Sequence, residues 1–141
     1  MPRGKKHYRL TANDIFDAHD AALQYGGQRG IINENSVLSA IARPYAEYGG
    51  HKLFRSMSEK AAALVDAIAG SNHGFTDGNK RTAFICVNIL LDNSGYRFAD
   101  DVSDTQVEEL MIRVATHDIG FGELVRWFRD RIERASKSTA A

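Results

Sequence analysis

The fold of this chain is decided by residues 73–93, which read HGFTDGNKRTAFICVNILLDN. Residues 83–91, AFICVNILL, are apolar on nearly all sides, whereas a surface helix carries a single apolar stripe. We therefore predict that a helix from Asn79 to Asn93 runs through the centre of the domain and ends at Asn93-Ser94-Gly95. The segment at its start, residues 73–81, gathers a histidine, a carboxylate, a glycine turn and two cations, which packing alone does not explain.

Signals for helix starts recur on both sides of this segment. They are Thr11, Asn33 to Asn35, the capping boxes Ser56 to Glu59 and Ser103 to Gln106, and the sequence Gly120-Phe121-Gly122. Apolar residues recur at helical spacing in the first helix (Ile15, Ala18, Ala22 and Tyr25) and in the last (Leu124, Trp127, Phe128 and Ile132). The sequence therefore predicts an all-α fold, a bundle of about six helices around one central buried helix.

Residues 33–55 are harder to assign. The helix that begins near Asn33 is expected to end before Pro44, because the residue preceding a proline disfavours the helical region. Residues 45–55 then place Gly49-Gly50 between aromatic and apolar residues. This pattern is typical of either an irregular loop or a small hairpin.

The composition is that of one ordinary globular domain. The chain has 141 residues, of which 43% are hydrophobic and 26% charged. We expect the domain to span residues 10–134. A flexible basic arm, residues 1–9, would precede it, and a flexible tail, residues 135–141, would follow it.

Charge and cysteine content exclude several classes of function. Eighteen Lys and Arg balance eighteen Asp and Glu, so no net charge draws the chain to nucleic acid or to an anionic membrane. The single cysteine, Cys86, cannot build a cysteine-based zinc cage. No apolar run is long enough to span a bilayer, and no apolar signal core follows the basic N-terminus. We therefore expect a cytoplasmic protein with no membrane partner and no direct nucleic-acid partner.

The start of the central helix is suited to binding an anion. The first amides of a helix lack internal partners and the helix dipole is positive there, and Lys80 and Arg81 add charge where phosphate oxygens would lie. Asp77 could hold a magnesium ion that bridges phosphates. His73, within chain reach, could accept a proton from an attacking hydroxyl. Together these residue types suggest nucleotide-dependent transfer.

Each of these residues also has an ordinary structural interpretation. His73 could be a helix C-cap, Asp77 an N-cap and Asn79 a turn residue. Lys80 and Arg81 could be solvated, although cations in a first helical turn oppose the dipole, which favours a compensating anion. The sequence contains no Walker-type phosphate loop, HExxH pair, GxSxG elbow or calcium loop.

The ordered run of residues 73–81 resembles the signature of the Fic/Doc superfamily, HxFx[DE]GNxR, with every fixed position present. The resemblance covers most of the chain, roughly from Leu10 to Ile132. Its N-terminal half is similar to the death-on-curing (Doc) branch at Tyr25-Gly26-Gly27, Arg29-Gly30-Ile31 and Ala42-Arg43-Pro44.

The resemblance implies a helical enzyme that uses ATP and Mg²⁺ to modify a hydroxyl of a target protein. His73 would be the general base, Asp77 the magnesium ligand and Phe75 a core anchor for the loop. The residues that would bind the nucleotide phosphates are Gly78, Asn79, Lys80 and Arg81. Residues 45–55 would be a flap, formed by a small hairpin, that aligns the target chain by strand-like pairing.

Two departures separate the chain from adenylylating members, whose motif continues GNGRxxR. Lys80 replaces the second glycine, and Phe84 stands where the second arginine would be. Doc-type members share the Asn-Lys-Arg arrangement, which implies a reversed ATP that presents its γ-phosphate to the base. We therefore expect a protein kinase. Because Gly78 matches the adenylylating pattern, AMP transfer is the alternative, and a non-catalytic binding protein is a third.

The sequence lacks the inhibitory pattern [ST]xxxE[GN] that restrains many Fic proteins. The only glutamate followed by Gly or Asn is Glu34, and Gly30 stands four residues before it. By resemblance to the Doc branch, we expect the toxin of a toxin–antitoxin pair, restrained by a small Phd-like antitoxin that folds on binding. The expected docking surface is a groove beside the motif, bounded by the first helix and the flap.

Overall fold

The computed structural model describes residues 6–71 and 74–135, and within them the chain forms six α-helices. The helices are α1 (Ala12–Leu23), α2 (Glu34–Ala42), α3 (Met57–Val65), α4 (Asn79–Asn93), α5 (Asp104–Ala115) and α6 (Phe121–Arg131). A 3₁₀ turn (Arg43–Tyr45) follows α2, and a π-helical segment (Asp66–Ser71) continues α3. The strands are β1 (Glu47–Tyr48), β2 (His51–Lys52), β3 (Tyr96–Phe98) and β4 (Ile132–Arg134). The predicted all-α bundle of about six helices is confirmed.

Helix α4 lies at the centre of the bundle, as its apolar sequence predicts. It packs against α1, α3, α5 and β3. Its buried side chains are Thr82, Ala83, Cys86, Val87, Leu90 and Leu91. Burial raises the pKa of the Cys86 thiol to about 12, so this cysteine is a core residue and not a nucleophile. Among the described helices, none combines the length and the apolar character that crossing a membrane requires.

The hairpin between α2 and α3 resolves the choice left open for residues 45–55. Strands β1 and β2 pair antiparallel, with Tyr48 opposite His51. Gly49 and Gly50 form the two-residue turn between them with φ of 57° and 81°. Such turns need positive φ at both positions, which glycine adopts at no steric cost. The tip is exposed, and Tyr48 there is 80% accessible to solvent.

Three expectations about helix ends need correction. Helix α1 ends at Leu23 rather than near Tyr25, and Tyr25 is 74% exposed instead of packed in the core. Ser103 caps α5, but the reciprocal bond of a capping box is missing because the side chain of Gln106 accepts a hydrogen bond from Arg131. Ile132 is not helical: it opens β4, which pairs with the unpredicted β3.

The described N-terminal residues are tied to the body of the domain. The backbone N–H of Tyr8 donates to Ser94 Oγ at 2.8 Å, beyond the end of α4. The Tyr45 hydroxyl accepts from the N–H of Leu10 and donates to the carbonyl of Tyr8. Of the ends expected to be flexible, residues 1–5 and 136–141 lie outside the described residues.

Removing the cap of α3 is expected to destabilise the fold without touching the motif. Ser56 Oγ accepts from the N–H of Glu59 at 3.1 Å, and the Glu59 carboxylate accepts from the N–H of Ser56 at 3.0 Å. Ser56→Ala should lower the free energy of unfolding by about 1 kcal/mol and Tm by roughly 3–5 °C, measured by thermal and urea denaturation. Ser39→Ala, an exposed position inside α2, is the matched control and should lose nothing. Equal losses in both variants would contradict the capping interpretation.

Candidate active site

The motif loop is anchored in the core by Phe75. Only 1% of Phe75 is exposed. Its ring lies flat against His19 of α1, with centroids 3.7 Å apart and planes 11° apart, and meets Phe16 edge-on at 6.3 Å. The anchor that the motif implied for Phe75 is therefore built largely from α1.

The loop backbone is also paired with the segment that joins α1 to α2. The N–H of Thr76 donates to the carbonyl of Gly30 at 3.0 Å, and the N–H of Ile32 donates to the carbonyl of Gly74 at 2.8 Å. Gly30 has a φ of +138°, and a Cβ there would lie 2.7 Å from the Thr76 hydroxyl. Only glycine readily adopts this backbone conformation and allows this close approach. The structure therefore explains why the Doc-like segment has glycine at position 30.

Asn79 closes the loop onto the start of α4. Its side-chain amide donates to the carbonyl of Phe75 at 2.9 Å, and its Oδ1 accepts from the N–H of Phe75 at 3.3 Å. Both ends of the side chain are thus engaged by the loop. Because the Asn79 side chain is occupied in fixing the loop, Asn79 would contact a phosphate through its backbone N–H.

Asp77 presents an ionised carboxylate beside the helix start. Oδ1 accepts from the N–H of Gly78 at 2.8 Å, and Oδ2 accepts from the N–H of Gln28 at 3.2 Å. These two backbone hydrogen bonds, with smaller contributions from the charges of Lys80 and Arg81, lower the pKa of Asp77 below its ordinary value. The carboxylate is exposed, and each oxygen retains a lone pair for a cation.

The start of α4 is open and carries cations. Gly78 occupies the N-cap position with a φ of +80° and, having no side chain, provides no cap. Lys80 and Arg81 are exposed, and neither forms an ion pair with a carboxylate of the described residues. The guanidinium of Arg81 lies 5.0 Å from the ring centre of Tyr25, a cation–π contact that holds it near the helix start.

Position 84 lies one helical turn beyond Lys80 and Arg81, on the same side of α4. Phe84 is half-buried and packs against Phe98 of β3, with ring centroids 6.3 Å apart. Phe84 therefore contributes an apolar contact and no positive charge at this position. The structure gives a packing role to the residue that replaces the second arginine of the adenylylating motif.

These features fit a magnesium-bound polyphosphate. Mg²⁺ prefers one or two carboxylates together with phosphate oxygens. Within residues 6–71 and 74–135 there is no cluster of three or more metal-ligating side chains, so Asp77 alone would supply the protein carboxylate. The helix start, Lys80 and Arg81 would face the phosphates.

Five of the six site residues proposed from the sequence lie together on one turn of chain, residues 77–81. The sixth, His73, lies outside the described residues. Sequence reasoning missed His19, whose Nε2 lies 2.9 Å from the carbonyl oxygen of Asp77. A signal was present: His19 falls four residues after Ile15 and three before Ala22, on the buried face of α1.

Comparisons with known proteins identify related sequences. A family model described as the Fic/DOC family matches residues 9–91, which include the whole motif. A protein of Mycolicibacterium smegmatis described as "Toxin Doc" is 34% identical over 109 residues, covering 77% of this chain and 82% of the relative. The resemblance drawn from residues 73–81 is confirmed, including its Doc-like branch.

If the start of α4 binds phosphates, Arg81 should contribute directly. Arg81→Gln keeps most of the side-chain volume and removes the charge. We expect the Kd for inorganic pyrophosphate with Mg²⁺, measured by titration calorimetry, to rise roughly tenfold or more, the usual cost of a lost charged hydrogen bond. The control is Arg126→Gln, an exposed arginine on α6, which should leave the Kd unchanged. Equal weakening in both variants would indicate a general charge effect and no site.

Proposed function

This chain belongs to the Fic/DOC family, and on that basis we propose that it is a Doc-like toxin that transfers the γ-phosphoryl group of ATP to a hydroxyl of a target protein. The observation that carries the proposal is the turn at residues 77–81, where an ionised carboxylate, two exposed cations and an open helix start face solvent together. This arrangement matches the needs of a magnesium nucleotide.

The proposed reaction assigns a role to each residue of the motif. The target oxygen bonds to the γ-phosphorus as the bond from that phosphorus to the β,γ-bridging oxygen breaks, and ADP leaves. His73 accepts the hydroxyl proton. Asp77 would hold Mg²⁺, which neutralises phosphate charge when bound. Arg81, Lys80 and the first amides of α4 stabilise the equatorial oxygens.

Two positions favour phosphoryl transfer over AMP transfer. Lys80 places a long cation beside the turn where adenylylating relatives have glycine, so the space there is reduced and the charge is increased. Phe84, which packs against Phe98, stands where adenylylating relatives have the second arginine, so that arginine is not available to bind the far phosphates. Gly78 is the one residue closer to the adenylylating pattern than to that of Doc, and it keeps AMP transfer as the second candidate.

The flap is suited to align an extended target chain. Among the described residues the flap sheet has two strands, so each keeps an outer edge. Tyr48 in β1 and Leu53, directly after β2, are exposed. Unpaired strand edges bind extended peptides through backbone hydrogen bonds. Such pairing would present a target hydroxyl without strict dependence on the target's sequence.

The toxin assignment rests on the similarity to the Mycolicibacterium smegmatis protein described as "Toxin Doc". The sequence has no inhibitory [ST]xxxE[GN] pattern and no second motif arginine, so restraint would come from a separate Phd-like antitoxin. We propose that the antitoxin docks beside the motif, where Tyr25, Ile31 and Ile32 leave apolar surface exposed.

The reaction type can be decided with labelled ATP. Purified protein is incubated with Mg²⁺, cell extract and ATP labelled in either the α- or the γ-phosphate. We expect γ-label in a protein band and no α-label. His73→Ala should lower incorporation by ~10²-fold or more, the range for loss of a general base, with unchanged Tm.

The matched control for this assay is His117→Asn, an exposed histidine after α5, which should label like the wild type. Asparagine is chosen because His117 has a φ of 58°, which asparagine tolerates. Incorporation of α-label would support AMP transfer instead. Near-normal labelling by His73→Ala would overturn the assignment of the base.

The toxin proposal predicts a growth phenotype. Expression of this chain alone in a bacterium should arrest growth, because nothing in its sequence replaces the missing inhibitory motif. His73→Ala should abolish the arrest, whereas His117→Asn should retain it. Growth curves at matched protein levels, checked by immunoblot, give the measurement. Normal growth at high wild-type expression would contradict the toxin assignment.

A further inference from the structure

His19 contacts the motif loop at two points, yet the reaction outlined above assigns it no part. The side chain is buried, with 5% of the residue exposed. Its ring stacks on Phe75, and its Nε2 lies 2.9 Å from the carbonyl oxygen of Asp77. A carbonyl oxygen can only accept a hydrogen bond, so Nε2 carries the proton and donates it.

This hydrogen bond sets the direction of the peptide between Asp77 and Gly78. In a trans peptide the carbonyl and the N–H point in opposite directions. With the carbonyl turned toward α1, the N–H of Gly78 points to the Asp77 carboxylate and donates to Oδ1 at 2.8 Å. If the peptide turned over, the carbonyl oxygen would face that carboxylate, which would lose a donor and be repelled.

Gly78 itself cannot hold the peptide in place. Glycine adopts positive and negative φ almost equally well, so its φ of +80° is readily abandoned. Space is not the reason for glycine here, because a Cβ at this position would lie 3.6 Å from the His19 ring, an ordinary contact. Asn79 fixes the loop at Phe75, and His19 adds a constraint on the Asp77–Gly78 peptide itself.

We propose that His19 is a positioning residue for the phosphate and magnesium site. Its Nε2–H locks the Asp77–Gly78 peptide, so that the Asp77 carboxylate and the open start of α4 keep the orientation that binding requires. The inference rests on the proposed function for its effect on turnover. The lock itself exists in the protein without nucleotide and can be measured there.

Two variants separate the hydrogen bond from the packing. His19→Phe keeps a flat ring to stack on Phe75 but cannot donate. His19→Gln places an amide N–H where Nε2 lies but has no ring. Its amide oxygen can be hydrated, because His19 borders a cavity of about 290 Å³ between α1 and residues 29–31.

We expect His19→Phe to have the higher KM for ATP and His19→Gln to have the lower Tm. In the labelling assay, His19→Phe should raise the KM for ATP about tenfold, the equivalent of one lost hydrogen bond of ~1.4 kcal/mol. Its Tm should fall by less than that of His19→Gln, which loses the ring packed on Phe75. His19→Gln should keep a KM near the wild-type value with a lower Tm. A wild-type KM in His19→Phe, or equal KM increases in both variants, would overturn the positioning role.

A readout without nucleotide keeps this test independent of the reaction. Amide hydrogen exchange at Gly78, followed by NMR in the full chain, should be about tenfold faster in His19→Phe than in the wild type or in His19→Gln. Equal exchange in all three proteins would refute the lock whatever the enzyme does. If wild-type protein transfers nothing from ATP while Gly78 exchange still responds as expected, the proposed function fails and the positioning role stands.

Discussion

Two hydrogen bonds between the Asn79 side chain and the backbone of Phe75 set the shape of the site. The chain must pass from a fully buried aromatic ring to an exposed helix start within four residues. The Asn79 amide satisfies both polar groups of Phe75 and so makes that passage possible without leaving them unpaired in the core. The position of the open end of α4 follows from this constraint, because the helix begins at Asn79.

The parts of the fold that were predictable from the sequence are those determined by neighbours in the chain. The central helix Asn79–Asn93 and the capped start at Ser56 both depend on residues within a few positions of one another. The Gly49-Gly50 hairpin is similar, because its turn requires positive φ at adjacent residues. The family could be predicted from the motif at residues 73–81 for the same reason, since its fixed residues form one continuous segment.

The parts that were missed depend on contacts between distant segments. Helical spacing alone cannot predict that Tyr25 lies outside the core and contacts Arg81, because that contact depends on how α1 and α4 are placed relative to each other. Ile132 continues the apolar pattern of α6, but the strand that it opens pairs with β3, and helical spacing cannot predict that β3 lies beside the end of α6. The spacing of His19 indicates that it is buried in α1, but its contact with Asp77 could not be predicted, because Asp77 belongs to another segment.

The separation between His19 and Asp77 has a consequence for how this protein is made. The two residues are 58 positions apart, with α2, the flap and α3 between them. During synthesis, the turn at residues 77–81 acquires its final form only after α4 has left the ribosome and packed against α1. A nascent or truncated chain would contain every residue of the motif, but without the packing of α4 against α1 those residues would not form a preorganised site. If the protein has the activity proposed above, its site would be complete only after translation has passed the core of the domain.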